Sequence, residues 1–335
     1  MKNIFSIVFL LVMISGFSQS LERQVIGSAG STLTNASVSL DFTVGELVVS
    51  TLTDGTTSLS QGFHQGSKLS IILDPIVFLQ GAALNPATGE LTLMRDDLRS
   101  NSYIPTTSPY GDALTCDVNV FNTTGDNAIV DWVWIELRDE TDNTIVEASR
   151  SALLQRDGNI VDVDGTSYVE FELASGNYYV SIHHRNHLGI ISNGTITLAK
   201  AVTIVDFTDV NNQITYGSNA QTTFGMPTDV VGMWAGDVNN DGRLNYLGAN
   251  SEIPFISSQV FNDPDNSLFG GPPTATYSSV GYYGTDVDMN GETIYIGPNS
   301  EIPYISSNIF NNSSNSIFGG PPTATFEFLE QIPSN

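Results

Sequence analysis

The sequence predicts a mainly β protein with three parts: an N-terminal hairpin module, an antiparallel immunoglobulin-like β-sandwich, and a C-terminal duplicated repeat of acidic loop plus short helix. Two observations predict it. Between residues 71 and 207, apolar and polar residues alternate in short runs separated by Gly, Asn and Asp turns, as in strands that turn one face to a core. Further on, Asp237-Val-Asn-Asn-Asp-Gly242 and Asp286-Val-Asp-Met-Asn-Gly291 stand 49 residues apart. The same offset carries Asn250-Ser-Glu-Ile-Pro254 onto Asn299-Ser-Glu-Ile-Pro303, and Phe269-Gly-Gly-Pro-Pro-Thr-Ala-Thr276 onto Phe318-Gly-Gly-Pro-Pro-Thr-Ala-Thr325, which only a duplicated unit explains. The expected segments are 1–18, 19–66, 67–207 and 208–335.

Segment 1–18 reads as a secretory signal: Lys2, an apolar run over 4–13, then Gly16-Phe17-Ser18, with the mature chain starting near Gln19. That run is too short to span a bilayer comfortably, and no later stretch approaches ~20 consecutive apolar residues, so no transmembrane segment is expected after signal removal. The expected location is secreted, extracellular or at the cell surface. Cys116 is the single cysteine, which excludes an intrachain disulfide and reads as a buried structural thiol. The 335 residues carry a formal net charge of −25, from 36 acidic and 11 basic side chains. Nucleic acid needs clustered Lys and Arg and is therefore not an expected partner. Cations are. From Ala201 onward there are 14 acidic residues against one basic residue, Arg243, so the cation-free repeat should repel itself and melt before the sandwich.

In the hairpin module, strands are expected over 24–26, 37–44, 46–52 and 57–61, with Asp54-Gly55 as one turn. In the sandwich they are expected over 76–79, 114–121, 128–137, 145–146, 168–173, 178–183 and 196–205. The long connection after the first of these contains Arg95-Asp-Asp-Leu-Arg99, and it reads as a cover for a sheet edge or as a functional loop. On the run 128–137, Val133, Ile135 and Leu137 share one face, and Trp132 and Trp134 share the other. Burial on both faces is the preferred reading; a sugar-binding surface that includes Trp132, Trp134, His183 and Arg185 requires the tryptophan face to be open.

His183-His-Arg-Asn-His187 holds three of the four histidines. Strand alternation sends His183 and His184 to opposite faces, so a structural role is preferred to a shared metal or a catalytic site. No nucleophile elbow, His-Glu-x-x-His or phosphate-cradling Gly loop is present, so no catalytic residue is assigned and no enzyme activity is expected.

In the acidic loops, oxygen-bearing side chains at positions one, three and five with Gly at six suit calcium: alternate residues of a tight turn converge on one cation, and Gly takes the sharp bend. The candidate ligands of the first loop are Asp237, Asn239, Asp241, the carbonyl of Arg243, and Asn245 directly or through water. The second loop offers Asp286, Asp288, Asn290 and the carbonyl of Glu292, with Ile294 where the first has Asn245. The twelfth position is Gly in both, so the nearest closing carboxylates are Glu252 and Glu301. After each, apolar residues at helical spacing (Ile253, Ile256, Val260, Phe261 and their counterparts) predict a short helix with Pro in its first turn and Ser251 or Ser300 as a cap.

A duplicated calcium loop feeding a short helix resembles the dockerin type of module, whose loops open Asp-x-Asn-x-Asp-Gly as residues 237–242 do. The resemblance covers the repeat region. The second loop and the missing carboxylate at position twelve depart from it. Thr43-Val-Gly-Glu46 and Gln61-Gly-Phe-His-Gln65 resemble a segment common in secreted Bacteroidota-type proteins, and the whole arrangement resembles those labelled haemagglutinin-like. The resemblance implies export and adhesion. Two functions follow from the sequence: a calcium-binding protein with a binding, adhesion or structural role towards extracellular carbohydrate or a surface protein, or a secreted hydrolase or its carbohydrate-binding accessory module. The first needs only the features present.

Overall fold

The computed structural model describes residues 29–34, 39–44, 51–53, 58–60, 70–316 and 320–333, the first four segments and 268–270 by backbone alone. The expected signal lies outside the described residues, as do most of the Bacteroidota-type phrases. Contacts divide the chain into two compact units, 1–68 and 69–335. In the first, β1 (Ala29–Thr34) pairs with β2 (Ser39–Val44), and β3 (Thr51–Thr53) with β4 (Ser58–Ser60), both antiparallel.

The second unit opens with a β-sandwich. Its larger sheet contains β6 (Ile129–Arg138), β7 (Val146–Gln155), β8 (Ile160–Val161), β10 (Gly176–His184), β11 (His187–Ile191) and β12 (Ile196–Leu198). The order is β11-β10-β6-β7-β8, with β12 also on β10. The smaller sheet is β13-β5-β9, from β5 (Ile71–Ile76), β9 (Val169–Phe171) and β13 (Val202–Asp206). The inward residues of both sheets share one core: Ile71 and Leu73 of β5 and Phe171 of β9 lie with Val133, Ile135 and Leu137 of β6. One pair departs from the antiparallel expectation. β13 lies parallel to β5, a pairing open to strands joined by a long excursion rather than a hairpin.

Several local expectations change: the first strand runs over 71–76 rather than 76–79, and 196–205 divides into β12 and β13, which join different sheets. Residues 114–121 alternate but form no strand, because the Asp117 side chain accepts from the Asn119 amide at 2.8 Å and starts a 3-10 turn over Val118–Asn122. The long connection covers a sheet face as well as its surroundings: a helical turn over Asp97–Ser100 packs on β6, and the Pro105 carbonyl accepts from Trp132 Nε1 at 2.8 Å. Trp132 is consequently 0% exposed.

The repeat follows through β14 (Gln221–Thr222) and β15 (Gly232–Met233), an antiparallel pair. Its elements are β16 (Arg243–Asn245), α1 (Ile253–Asn262), β17 (Ser278–Val280), β18 (Glu292–Ile294), α2 (Ile302–Asn311) and β19 (Glu327–Leu329). The copies interlock. β19, which ends copy two, pairs with β16 of copy one, whereas β17, at the equivalent position, pairs with β18 of copy two. Likewise α1 packs on β18 and α2 on β16. A second core forms between them from Val238, Val287, Leu244, Ile256, Ile305 and Ile309, into which β11 inserts Leu188.

Candidate metal centre

Each acidic loop folds around its first Asp. Asp237 accepts from the amides of Asp241 at 3.0 Å and Gly242 at 2.9 Å; Asp286 accepts from Asn290 at 3.1 Å and Gly291 at 2.8 Å. Gly242 and Gly291 sit at φ +75° and +88°, the left-handed bend expected at position six. Asn240 and Met289 also adopt positive φ, at 55° and 57°. For Asn this is tolerated; for Met it needs compensation, and burial of Met289 in the sandwich core supplies it. That insertion accounts for a residue that the calcium-loop pattern leaves unexplained.

The duplicated Glu joins the acidic side chains of its loop in each copy. In copy one, Asp237, Asp241 and Glu252 bring one carboxylate oxygen each to within 4.8 Å of the others; in copy two, Asp286, Asp288 and Glu301 do the same. Glu252 and Glu301 reach the clusters from the positions just before α1 and α2. Ser251 and Ser300 hold those starts, donating to the carbonyls of Tyr246 and Tyr295 at 2.6 and 2.7 Å and accepting from the first helical amides. Of the remaining candidates, Asn239 Oδ1 accepts from the Asp241 amide at 3.1 Å and Asn290 Oδ1 from the Glu292 amide at 2.7 Å. Arg243 and Glu292 begin the paired strands β16 and β18, and the Arg243 guanidinium is taken up by Glu327.

The electrostatics of both clusters are those of crowded carboxylates short of countercharge, with Arg185 offsetting part of the burial of Asp286 in the second. Burial, then the neighbouring charges of Asp237 and Asp241, pushes Glu252 up to about 9, and the Val238 and Asn239 amides offset only part of this. Glu252 is fully buried, with neither oxygen in hydrogen-bonding geometry, and Asn245 Oδ1 and Asp288 Oδ1 are likewise buried without partners. Burial raises Asp237 to about 7, against the pull of the Asp241 and Gly242 amides. Asp286 and Glu301 are pushed well above the carboxylate range, by burial first, and Asp288 is raised by burial too. Burying charge without a partner is strongly unfavourable, and a divalent cation among these oxygens would remove the penalty. The donor set fits calcium: it is all oxygen, with carboxylates in both clusters and the Asn245 amide oxygen buried without a partner.

The histidine stretch makes the joint between sandwich and repeat. His184 Nδ1 lies 2.9 Å from His187 Nδ1, His184 Nε2 lies 3.1 Å from Asp131 Oδ2, and His187 Nε2 accepts from the Gly81 amide at 3.0 Å. Burial lowers the basicity of both rings. Asp131 would be raised by its complete burial, yet Arg185 and the hydrogen bond from His184 hold it near 2. From the same turn, Arg185 donates to Asp131 and to the Tyr283 carbonyl, and Asn186 Nδ2 donates to the Asp286 carbonyl at 2.6 Å. Trp132, Trp134, His183 and Arg185 do not form one open surface. Trp132 is buried, Trp134 and His183 are half-buried around Glu136, and Arg185 faces inward to Asp131.

Asp131, Gln80 and Asn308 are residues that motif reading missed. Gln80 exchanges two 2.8 Å hydrogen bonds with Asn308 of α2 across 228 residues, fully buried. No local signal announces that pair. The copy-one and copy-two residues Asn266 and Asn315 also escaped notice, although the offset that revealed the loops reaches them. Each accepts from the amide of its Thr274 or Thr323 at 2.9 Å and so closes the segment after its helix.

No family model matches the chain, and no curated protein matches it. Among solved structures, one cohesin–X-dockerin complex from Acetivibrio cellulolyticus is similar, with 14% identity over 72% of this chain and 95% of that one. The TM-score of 0.29 is too low for that likeness to carry an argument about fold or function. Among the described residues, no helix is long and apolar enough to cross a membrane.

Proposed function

We propose that this chain is a secreted or cell-surface calcium-binding protein with a binding, adhesion or structural role. The observation that carries the reading is the pair of carboxylate clusters in a duplicated loop, buried except for Asp241, with Glu252, Asn245 and Asp288 oxygens left without partners. In this account Asp237, Asp241, Asn245 and Glu252 hold one calcium ion, and Asp286, Asp288 and Glu301 hold another. The ion supplies the countercharge that fixes the two loops and, through the helices that follow, the interlocked repeat.

Support for binding rather than hydrolysis comes from how the histidines are used. His184 and His187 are spent on Asp131, Asn186 and the Gly81 amide inside the protein, so neither ring is presented to solvent as an acid or base. The test is a panel of polysaccharides and cell-surface preparations with retention and product release read separately. The expected result is retention in calcium that chelation abolishes, with no product released. Product formation that His184→Ala or His187→Ala eliminates would overturn the reading.

A further inference from the structure

Beside the second carboxylate cluster lies a polar cavity of about 430 Å³, within the usual size range of small-ligand sites. One wall comes from the sandwich, with Asn85 and Arg95. The other comes from the repeat, with Asp288, Asn290, Asn299 and Tyr304. Asp288 therefore belongs both to the cavity and to the cluster, and it is only 6% exposed, with Oδ1 unpartnered. We propose that this cavity is a calcium-dependent binding site for a carboxylate-bearing sugar of the hexuronate class.

This inference rests on calcium occupying the second loop, and two features of the cavity specify the ligand. The first is charge. The protein is strongly acidic and Arg95 is already paired with Asp97, so an anion is held here by direct contact with the guanidinium and with a cation at the Asp288 side rather than by a net positive field. Arg95 is held ready by Asp97 at 2.6 Å and by the Asn85 carbonyl at 3.1 Å, and its side chain remains 35% exposed. A planar guanidinium matches a carboxylate in two parallel hydrogen bonds. The second feature is the amide lining. Asn299 presents a donor and an acceptor that suit vicinal hydroxyls, while the Tyr304 hydroxyl, which accepts from Asn85 Nδ2 at 3.0 Å and donates to Asp288, fixes Asp288 in the cavity wall. Few apolar groups line the site, which favours a sugar over an apolar acid.

The experiment is calorimetric titration of the full chain, first with calcium and then, in calcium, with a galacturonate disaccharide or with neutral maltose. The disaccharide should bind, maltose should not, and chelation should abolish the heat. Arg95→Gln should weaken disaccharide binding at least tenfold, with calcium binding retained. Calcium heat without disaccharide binding overturns this proposal alone, and so does equal affinity for maltose or unchanged affinity in Arg95→Gln. An absence of calcium heat overturns the calcium reading beneath it.

Discussion

Removing divalent cation should lower the melting temperature of the full chain by roughly 10–20 °C. A ligand that binds only the folded state contributes about 2.7 kcal/mol at a hundredfold excess over Kd, so two sites give ~5 kcal/mol, and at ~2–4 °C per kcal/mol for a unit of this size the shift follows. The charge of the repeat by itself suggested a separate, earlier transition for that region. The structure argues for a different outcome. Met289 sits in the sandwich core, Gln80 and Asn308 form a buried amide pair, and Arg185 and Asn186 bond to Tyr283 and to Asp286 of the second loop. With that many buried ties, sandwich and repeat should melt in one transition that moves as a whole. Differential scanning calorimetry with calcium and in cation-free buffer checks both the size and the shape. An early calcium-sensitive peak beside an unmoved second one would show that these ties do not couple the two regions.

Glu252→Gln should have opposite effects in the two conditions. Without cation at neutral pH it should stabilise, because Glu252 must take up a proton to be buried there, whereas Gln is neutral in the folded and the unfolded chain alike. With calcium it should remove most of the gain from the first site. The pH dependence has the same origin. In the cation-free fold, Asp237 and Glu252 hold protons up to about 7 and about 9, whereas the unfolded chain releases them near 4. The folded state then binds more protons than the unfolded, so the stabilisation is complete below about pH 4 and is lost as pH rises through 7 and 9. Wild type without cation should therefore be more stable at pH 5 than at pH 8. Calcium should reverse that order, since ligation requires ionised carboxylates. Melting temperatures of both proteins across this range decide it; a cation-free wild type that gains stability between pH 5 and 8 contradicts the assignment.

The two loops and their helices were legible because their information is local and written twice. Loop positions one to six fix the turn around Asp237 and Asp286, and Ile256, Val260, Ile305 and Ile309 mark the buried helix faces at helical spacing. The core face of β6 was legible for the same reason, since Val133, Ile135 and Leu137 alternate with half-buried neighbours. What escaped depends on partners distant in sequence or on competition between local structures. Asp117 turns an alternating run into a 3-10 turn, and nothing near Gln80 points to Asn308. Met289 read as an irregularity in a calcium motif, and its role is clear only where the sandwich core receives it. The interlocking of β16 with β19 and of β17 with β18 was also out of reach: a repeat offset shows that two units are alike, not which unit each strand pairs with.

The central claim is that both carboxylate clusters take calcium, and calorimetric titration of cation-free protein at neutral pH tests it most directly. The account predicts two calcium-binding events. The first loop should bind more tightly, because Asn245 adds an oxygen where the second has Ile294, and each event should release protons from the buried carboxyls. Asp237→Ala should abolish the tighter event and leave the other. A titration without calcium heat, or with magnesium binding equally well at both sites, would contradict it.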